Sequence, residues 1–376
     1  MYKLFFAGRS RVNPFNIWWR SIDKPILFIA LILICIGIVL VTTASPFIAH
    51  RLNIPQYHFV YRHLLFSLLA IFTIIFMSTR SYQQSVKLIK LLFYISLILL
   101  VLIPVLGFET KGARRWFSLY HMSIQPSEFI KVTFPIIITE LLYSKKMIFN
   151  NKYILPTLLY VVISVLLLLQ PDFGMFILIS GMFLVMIILS GIRIFWILLG
   201  INILMSAVFI SYFSLSHVHY RVSNFFMGGQ SYQVTKSLTA IQQGGLFGKG
   251  IGIGNIKQYI PDVHTDFIFA VSIEEYGMVF GILLLLAYFY IGYRAFKYSY
   301  SYDILLKFIV INTYIFLLYL QVLIHVGSNI NLIPTKGVTL PLISYGGSSL
   351  LSTAFIIGIL LSFTSSESNI FKNNLK

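Results

Sequence analysis

Long apolar runs, separated by short polar stretches, recur along the whole of this chain. A membrane-crossing helix needs about 20 apolar residues, fewer where it is short or shielded by protein. Ten runs qualify, at roughly Ile26–Ala44, Leu64–Met77, Leu88–Leu106, Phe129–Tyr143, Ile154–Leu169, Gly174–Leu189, Ile194–Phe213, Phe267–Tyr290, Leu305–Leu323 and Leu350–Phe363. They read as helices, because strands of a membrane barrel would alternate polar and apolar side chains. The pattern predicts an all-α polytopic membrane protein of about ten transmembrane helices. One long loop, residues 214–265, separates the seventh from the eighth.

Composition agrees. The chain is 58% hydrophobic and 10% charged, with mean hydropathy +0.87, whereas soluble domains carry roughly 25% charged residues. Cys35 is the single cysteine, so no intramolecular disulfide can form. The first 24 residues hold charges and aromatics but no short apolar core with a small-residue cleavage site. The first span is therefore expected to serve as an uncleaved anchor.

The basic residues give an orientation. With the N-terminus inside, the inner segments hold 17 of the 28 lysines and arginines, as the positive-inside rule requires. Both termini are then expected in the cytoplasm, with 1–24 an N-terminal segment, 25–364 the membrane domain and 365–376 a tail. Attraction to anionic inner-leaflet lipid accounts for part of the +17 net charge. Nucleic acid is excluded as a partner, because the charge is scattered among apolar spans. The outer side nevertheless keeps basic clusters, Lys111, Arg114 and Arg115 in one loop and Arg221, Lys236, Lys249 and Lys257 in another. Either an anionic ligand lies there, or short outer loops simply tolerate a few charges.

The loop 214–265 is far longer than the usual connection of about 4–6 residues. It carries Gly228-Gly229, Gly244-Gly245 and the alternating Gly248, Gly250, Gly252 and Gly254. No strand precedes these glycines, so they do not make a dinucleotide-binding turn. His217 and His219 have no cysteine or acidic partner at zinc-site spacing. No serine–histidine–acid set stands out.

Several longer motifs occur in one order along residues 107 to 350. They are Lys111-Gly112-Ala113-Arg114-Arg115-Trp116, then Gln125-Pro126-Ser127-Glu128 with Lys131, then Gln170-Pro171-Asp172-Phe173-Gly174. Ile260-Pro261-Asp262-Val263-His264-Thr265-Asp266 follows, with Glu274-Glu275-Tyr276-Gly277 after it, and Pro334-Thr335-Lys336-Gly337 through Ser344-Tyr345-Gly346-Gly347-Ser348-Ser349 comes last. Together they resemble the SEDS family of cell-wall glycosyltransferases. The stretch Pro334–Leu342 is similar to the division branch more than to the elongation branch, whose members usually lack that lysine. Three departures stand out. Asp262 replaces a usual glutamate, His325-Val326-Gly327 replaces an asparagine-containing version, and residues 224–230 are glycine-rich where relatives often carry an Asp-Pro turn.

The resemblance implies a peptidoglycan glycosyltransferase in the bacterial inner membrane, at the division septum, with the long loop periplasmic. Its implied substrate is lipid II, a disaccharide-peptide on undecaprenyl pyrophosphate. The growing glycan is donor and the 4-hydroxyl of incoming lipid II is acceptor. A class B penicillin-binding protein, the transpeptidase, is the implied partner, with other division proteins and membrane lipid around it. An elongation-type polymerase, a lipid II flippase and a division scaffold are the alternatives.

Asp266 is the candidate catalytic base, since partial desolvation at a membrane boundary raises a carboxylate toward its working range. It can also bind a divalent cation, Mg or Mn, that offsets the pyrophosphate, or merely cap a helix. Arg114 and Arg115 suit phosphate oxygens. Trp116 suits either the interfacial aromatic belt or stacking on sugar. Lys257 and Lys336 are further pyrophosphate candidates, and Lys249 a weaker one, solvated lysine being the alternative for each. Glu128 and Lys131 share a helix face inside the membrane, where charges are paired or functional. Asp172 can cap the sixth span or position Lys131 or Arg115. Asp262, His264, Ser344 and Tyr345 complete the expected substrate-binding set. Glu274 and Glu275, two turns beyond Asp266, are expected to pack or gate.

Overall fold

The computed structural model describes residues 14–110, 113–119, 122–143, 151–193, 232–299, 305–334 and 337–364, with isolated positions between 195 and 223. The expected span 194–213 lies mostly outside the described residues, as do nearly all of 214–231 and the whole tail 365–376.

Helix α1 (Pro14–Ser21) precedes α2 (Lys24–Arg51), α3 (His58–Ser78) and α4 (Tyr82–Leu106). Asp23 starts α2 by accepting the Ile26 N–H at 3.0 Å. Ser81 and Gln84 form a capping box at the start of α4, satisfying N–H groups that an apolar surrounding would leave orphaned. After α4 the chain makes a small antiparallel sheet, β1 (Phe108–Thr110), β2 (Ala113–Leu119) and β3 (Met122–Ile124), in the order β1-β2-β3. The helical bundle expected from hydropathy thus carries a short β-meander as well. Then come α5 (Pro126–Leu142), α6 (Ile154–Leu169) and α7 (Phe173–Leu189).

Within the long loop lie α8 (Tyr232–Gly244) and a 3-10 turn at Lys257–Tyr259. The expected eighth span is two helices, α9 (Ile268–Tyr276) and α10 (Met278–Ser299), split at Gly277. Gly277 has φ 88° and ψ 171°, backbone that is essentially confined to glycine. Helices α11 (Leu305–Asn329) and α12 (Gly347–Thr364) close the described chain.

Among the described residues six helices, α2, α3, α4, α10, α11 and α12, are long and apolar enough to cross a membrane. Their burial sorts them. In the most apolar stretch of α12, 83% of residues are enclosed, against 22% for α3, so α12 is the hub and α3 presents most of its surface outward, toward lipid. The turn before α12 also reaches the centre. It presses on α2 at Gly37, where an added Cβ would sit 2.8 Å from the Ile343 Cα. The chain is a helical membrane protein whose polar turns converge inside the bundle.

Candidate functional site

Asp172 stands at the start of α7, where its Oδ1 accepts the Met175 N–H at 3.3 Å. Its other oxygen accepts from Gln125 Nε2 at 2.9 Å and Ser127 Oγ at 3.4 Å. The capping role is therefore met, and Arg115 Nη1 lies 3.9 Å away. Burial pushes the Asp172 carboxyl above its usual range, while the Arg115 guanidinium opposes that shift. Arg115 itself comes from β2. It donates through Nε to the Gln170 carbonyl at 3.1 Å and through Nη2 to the Pro171 carbonyl, tying the sheet to the turn between α6 and α7.

Arg114 behaves differently. Pairing in the sheet sets it opposite Glu109, and its Nε lies 3.7 Å from the Glu109 carboxylate with the side chain 52% exposed. Successive strand residues point to opposite faces, so the sheet does not bring the two side chains together.

Glu128 and Lys131 form the expected ion pair on α5, with Lys131 fully enclosed. Ser352 of α12 adds a hydrogen bond to Glu128 Oε2 at 2.9 Å. Arg115, Trp116, Gln125, Glu128 and Asp172 share a cavity of about 110 Å³ with Gln321 from α11 and the segment Gly337–Thr339. Gln321 was not among the residues expected from sequence. Its Oε1 is buried and without a hydrogen-bond partner among the described residues, and a single amide in an apolar helix gave no signal.

Asp266 lies against Gly337, which lines that cavity. It is half-buried, and a Cβ built on Gly337 would sit 3.5 Å from its Oδ2. Lys336, next in sequence to Gly337, lies outside the described residues. The main-chain carbonyl of Asp262, a residue in left-handed backbone with φ 52°, accepts the Thr265 and Asp266 N–H groups at 3.1 and 3.0 Å. What it contributes to this site is thus a tight turn presenting Asp266.

Ser344 and His264 build the support. Ser344 Oγ donates to the Thr265 carbonyl at 2.7 Å and accepts the Leu340 N–H at 2.9 Å. The Tyr345 N–H donates to the His264 carbonyl at 2.9 Å. The His264 ring lies 4.7 Å from Phe59 and 5.1 Å from Tyr345. Burial raises the Tyr345 phenol above its usual range, opposed by Arg62. Ser344, expected to reach substrate, is instead turned into the protein.

Asn329 was missed altogether. Fully buried at the end of α11, it donates through Nδ2 to the Asp266 carbonyl at 2.9 Å and the His325 carbonyl at 2.7 Å, and its Oδ1 accepts the Ala270 N–H at 3.1 Å. His325 Nδ1 in turn bonds the Val338 carbonyl at 2.8 Å. One helix end thereby holds both chain segments that bring Asp266 and Gly337 together.

Lys257 needs correction. It is buried against Glu275, with which it forms an ion pair, and its ammonium is not presented to a ligand. Glu274 accepts the Ile256 and Lys257 N–H groups at 2.8 and 3.1 Å, so both glutamates pack the loop. Lys249 is exposed and bonds Gln243. Among the described residues no three His, Cys, Asp or Glu side chains gather into a metal site.

Comparison with known proteins follows this geometry. Residues 24–369 match the FtsW/RodA/SpoVE model, described as cell cycle protein. A protein of Caulobacter vibrioides named "Probable peptidoglycan glycosyltransferase FtsW" is 31% identical over 95% of this chain and 92% of its own. One of Francisella salina with the same name is 35% identical over 96% and 93%. Among solved structures, a chain from a study titled "Structural coordination of polymerization and crosslinking by a peptidoglycan synthase complex" superposes with TM-score 0.76 at 26% identity, over 92% of this chain and 98% of that one. The Thermus thermophilus rod shape determining protein RodA superposes with TM-score 0.67 at 26% identity, over 92% and 97%. The chain belongs to the FtsW/RodA/SpoVE family of cell cycle proteins.

Proposed function

We propose that this chain is a peptidoglycan glycosyltransferase that polymerises lipid II on the outer face of the bacterial inner membrane during cell division. One observation carries the reading. A half-buried carboxylate, Asp266, abuts Gly337 in the wall of a polar cavity lined by Arg115, Trp116, Glu128 and Asp172. Asp266 takes the proton from the acceptor 4-hydroxyl as that oxygen attacks the anomeric carbon of the donor glycan. The bond to the donor's lipid pyrophosphate breaks, and Arg115 and Lys336 offset the charge on the leaving group. The relatives named as FtsW support the activity and the division role.

The reading extends to a ten-span membrane domain with cytoplasmic termini and to a class B penicillin-binding protein as transpeptidase partner. The neighbouring structure of a polymerising and crosslinking complex supports that pairing. The test is reconstituted protein with its partner and labelled lipid II. Strands made by wild type and lost in Asp266→Ala establish the reading. Transbilayer movement of lipid II without strands, in correctly assembled protein, would replace it with a transporter.

A further inference from the structure

The alternating glycines of the long loop have a use that the proposed chemistry does not need. Residues 244–250 lie against the break between α9 and α10 and exchange main-chain hydrogen bonds with it. The Met278 and Val279 N–H groups, left open by the interruption, donate to the Gly245 and Leu246 carbonyls at 2.9 and 3.3 Å. In return the Lys249 and Gly250 N–H groups donate to the Glu274 and Glu275 carbonyls, both at 3.0 Å. Within the turn the Gly248 N–H donates to the Gly244 carbonyl at 2.8 Å. Close approach explains the glycines. A Cβ on Gly244, Gly248 or Gly277 would run into main-chain atoms of Ile273, Glu275 or Leu246 respectively.

Beside these paired groups at the break, the turn points apolar side chains outward. Leu246 is 64% exposed, Phe247 83%, Ile251 61% and Ile253 63%. Its depth can be reckoned along α10. At the other end of that helix Arg294 pairs with Asp23 at 2.7 Å. Trp18 and Trp19 lie on the preceding helix α1, with the Lys24 ammonium over the Trp19 ring, the aromatic and basic company of a membrane boundary. From Arg294 to Val279 an ideal helix rises about 22 Å, less than the ~30 Å thickness of the hydrocarbon core. The turn bonded to Val279 therefore sits inside the apolar slab. Main-chain pairing across the break and outward hydrocarbon both suit irregular backbone in lipid. The same slab receives the neighbouring exposed side chains Met278, Val279, Ile282 and Leu283 of α10. Lys249 donates to Gln243 Oε1, so its ammonium has a polar partner within the loop.

We propose that residues 244–253 form a membrane-inserted turn whose Leu246, Phe247, Ile251 and Ile253 side chains contact lipid acyl chains and seal the interruption in the eighth span. The loop is then a lipid-binding surface and not a wholly aqueous one. The inference is independent of the reaction.

The test uses the full chain in phosphatidylethanolamine–phosphatidylglycerol vesicles, with Cys35→Ser as background. A nitroxide is attached at Phe247→Cys, or at Ile253→Cys should the first variant fail to assemble. Ile282→Cys serves as the lipid-facing reference and Gln56→Cys, in the turn between α2 and α3, as the aqueous one. Collision with oxygen at the level of Ile282, with protection from a water-soluble nickel chelate, is the expected result. Nickel accessibility matching Gln56 overturns the proposal. Protection from both reagents also overturns it, since the turn would then be covered by protein, such as a second copy of this chain.

Discussion

The side-chain amide of Asn329 grips the main chain of Asp266 from 63 residues away, donating to its carbonyl at 2.9 Å while accepting the Ala270 N–H at 3.1 Å. The acid is thus set in place by a neutral residue that never faces the cavity. Asn329→Ala is expected to leave these buried groups unsatisfied, each costing ~1–3 kcal/mol. Asn329→Asp keeps the shape but loses both donors. Displacing Asp266 by about 1 Å costs on the order of 100-fold in rate, so kcat should fall sharply with KM little changed. Steady-state polymerisation kinetics beside thermal unfolding decide it; unchanged kcat in folded Asn329→Asp would remove the positioning role.

The enclosed Glu128–Lys131 pair answers to charge balance. Lys131→Met strands a buried carboxylate and is expected to destabilise by about 3–5 kcal/mol. Adding Glu128→Gln should recover most of that loss. Denaturation of both single variants and the double variant measures the coupling, and additive losses would show that the two charges do not depend on each other.

Asp172 supplies a pH signature. Burial raises its carboxyl pKa in the folded protein, so the folded state holds this proton more tightly than the unfolded chain does. Its stabilising contribution is full below the ordinary carboxylate pKa of about 4 and is lost as pH rises through the raised folded value. Asp172→Asn keeps an acceptor for the Met175 N–H and removes the titration. Wild type should therefore lose stability relative to Asp172→Asn as pH climbs through that window. Parallel unfolding curves for the two proteins would contradict the assignment.

Arg115 spends its planar fork on the Gln170 and Pro171 carbonyls. Lysine cannot reproduce that geometry. Arg115→Lys is expected to raise KM for lipid II and to loosen the α6–α7 turn, visible as faster amide exchange near Gln170. Arg114→Lys, on the exposed face with Glu109, should leave both readouts near wild type.

Six of the expected runs coincide with helices long and apolar enough to span, because a bilayer allows few alternatives to long apolar runs. Hydropathy could not see the interruption at Gly277, since apolar residues resume at Met278 and an isolated glycine is ambiguous in a helix. The β-meander escaped notice because two of its strands have three residues each, too few for alternation to register. Lys257 looked like a ligand because its partner Glu275 is 18 residues away, beyond any local spacing rule. Motif resemblance brought Arg115, Glu128, Asp172 and Asp266 forward together. It passed over Asn329 and Gln321, whose roles depend on which chain segments α11 happens to touch.

The long-range supports of Asp266 lie later in the chain: Asn329 in α11, then Gly337, Ser344 and Tyr345 before α12. A ribosome delivers the acid with its Asp262 turn well before these distant braces. An unfinished polypeptide released before residue 329 would carry the carboxylate on its local turn alone, so competence arrives with α11 and α12 and an aborted product is chemically silent.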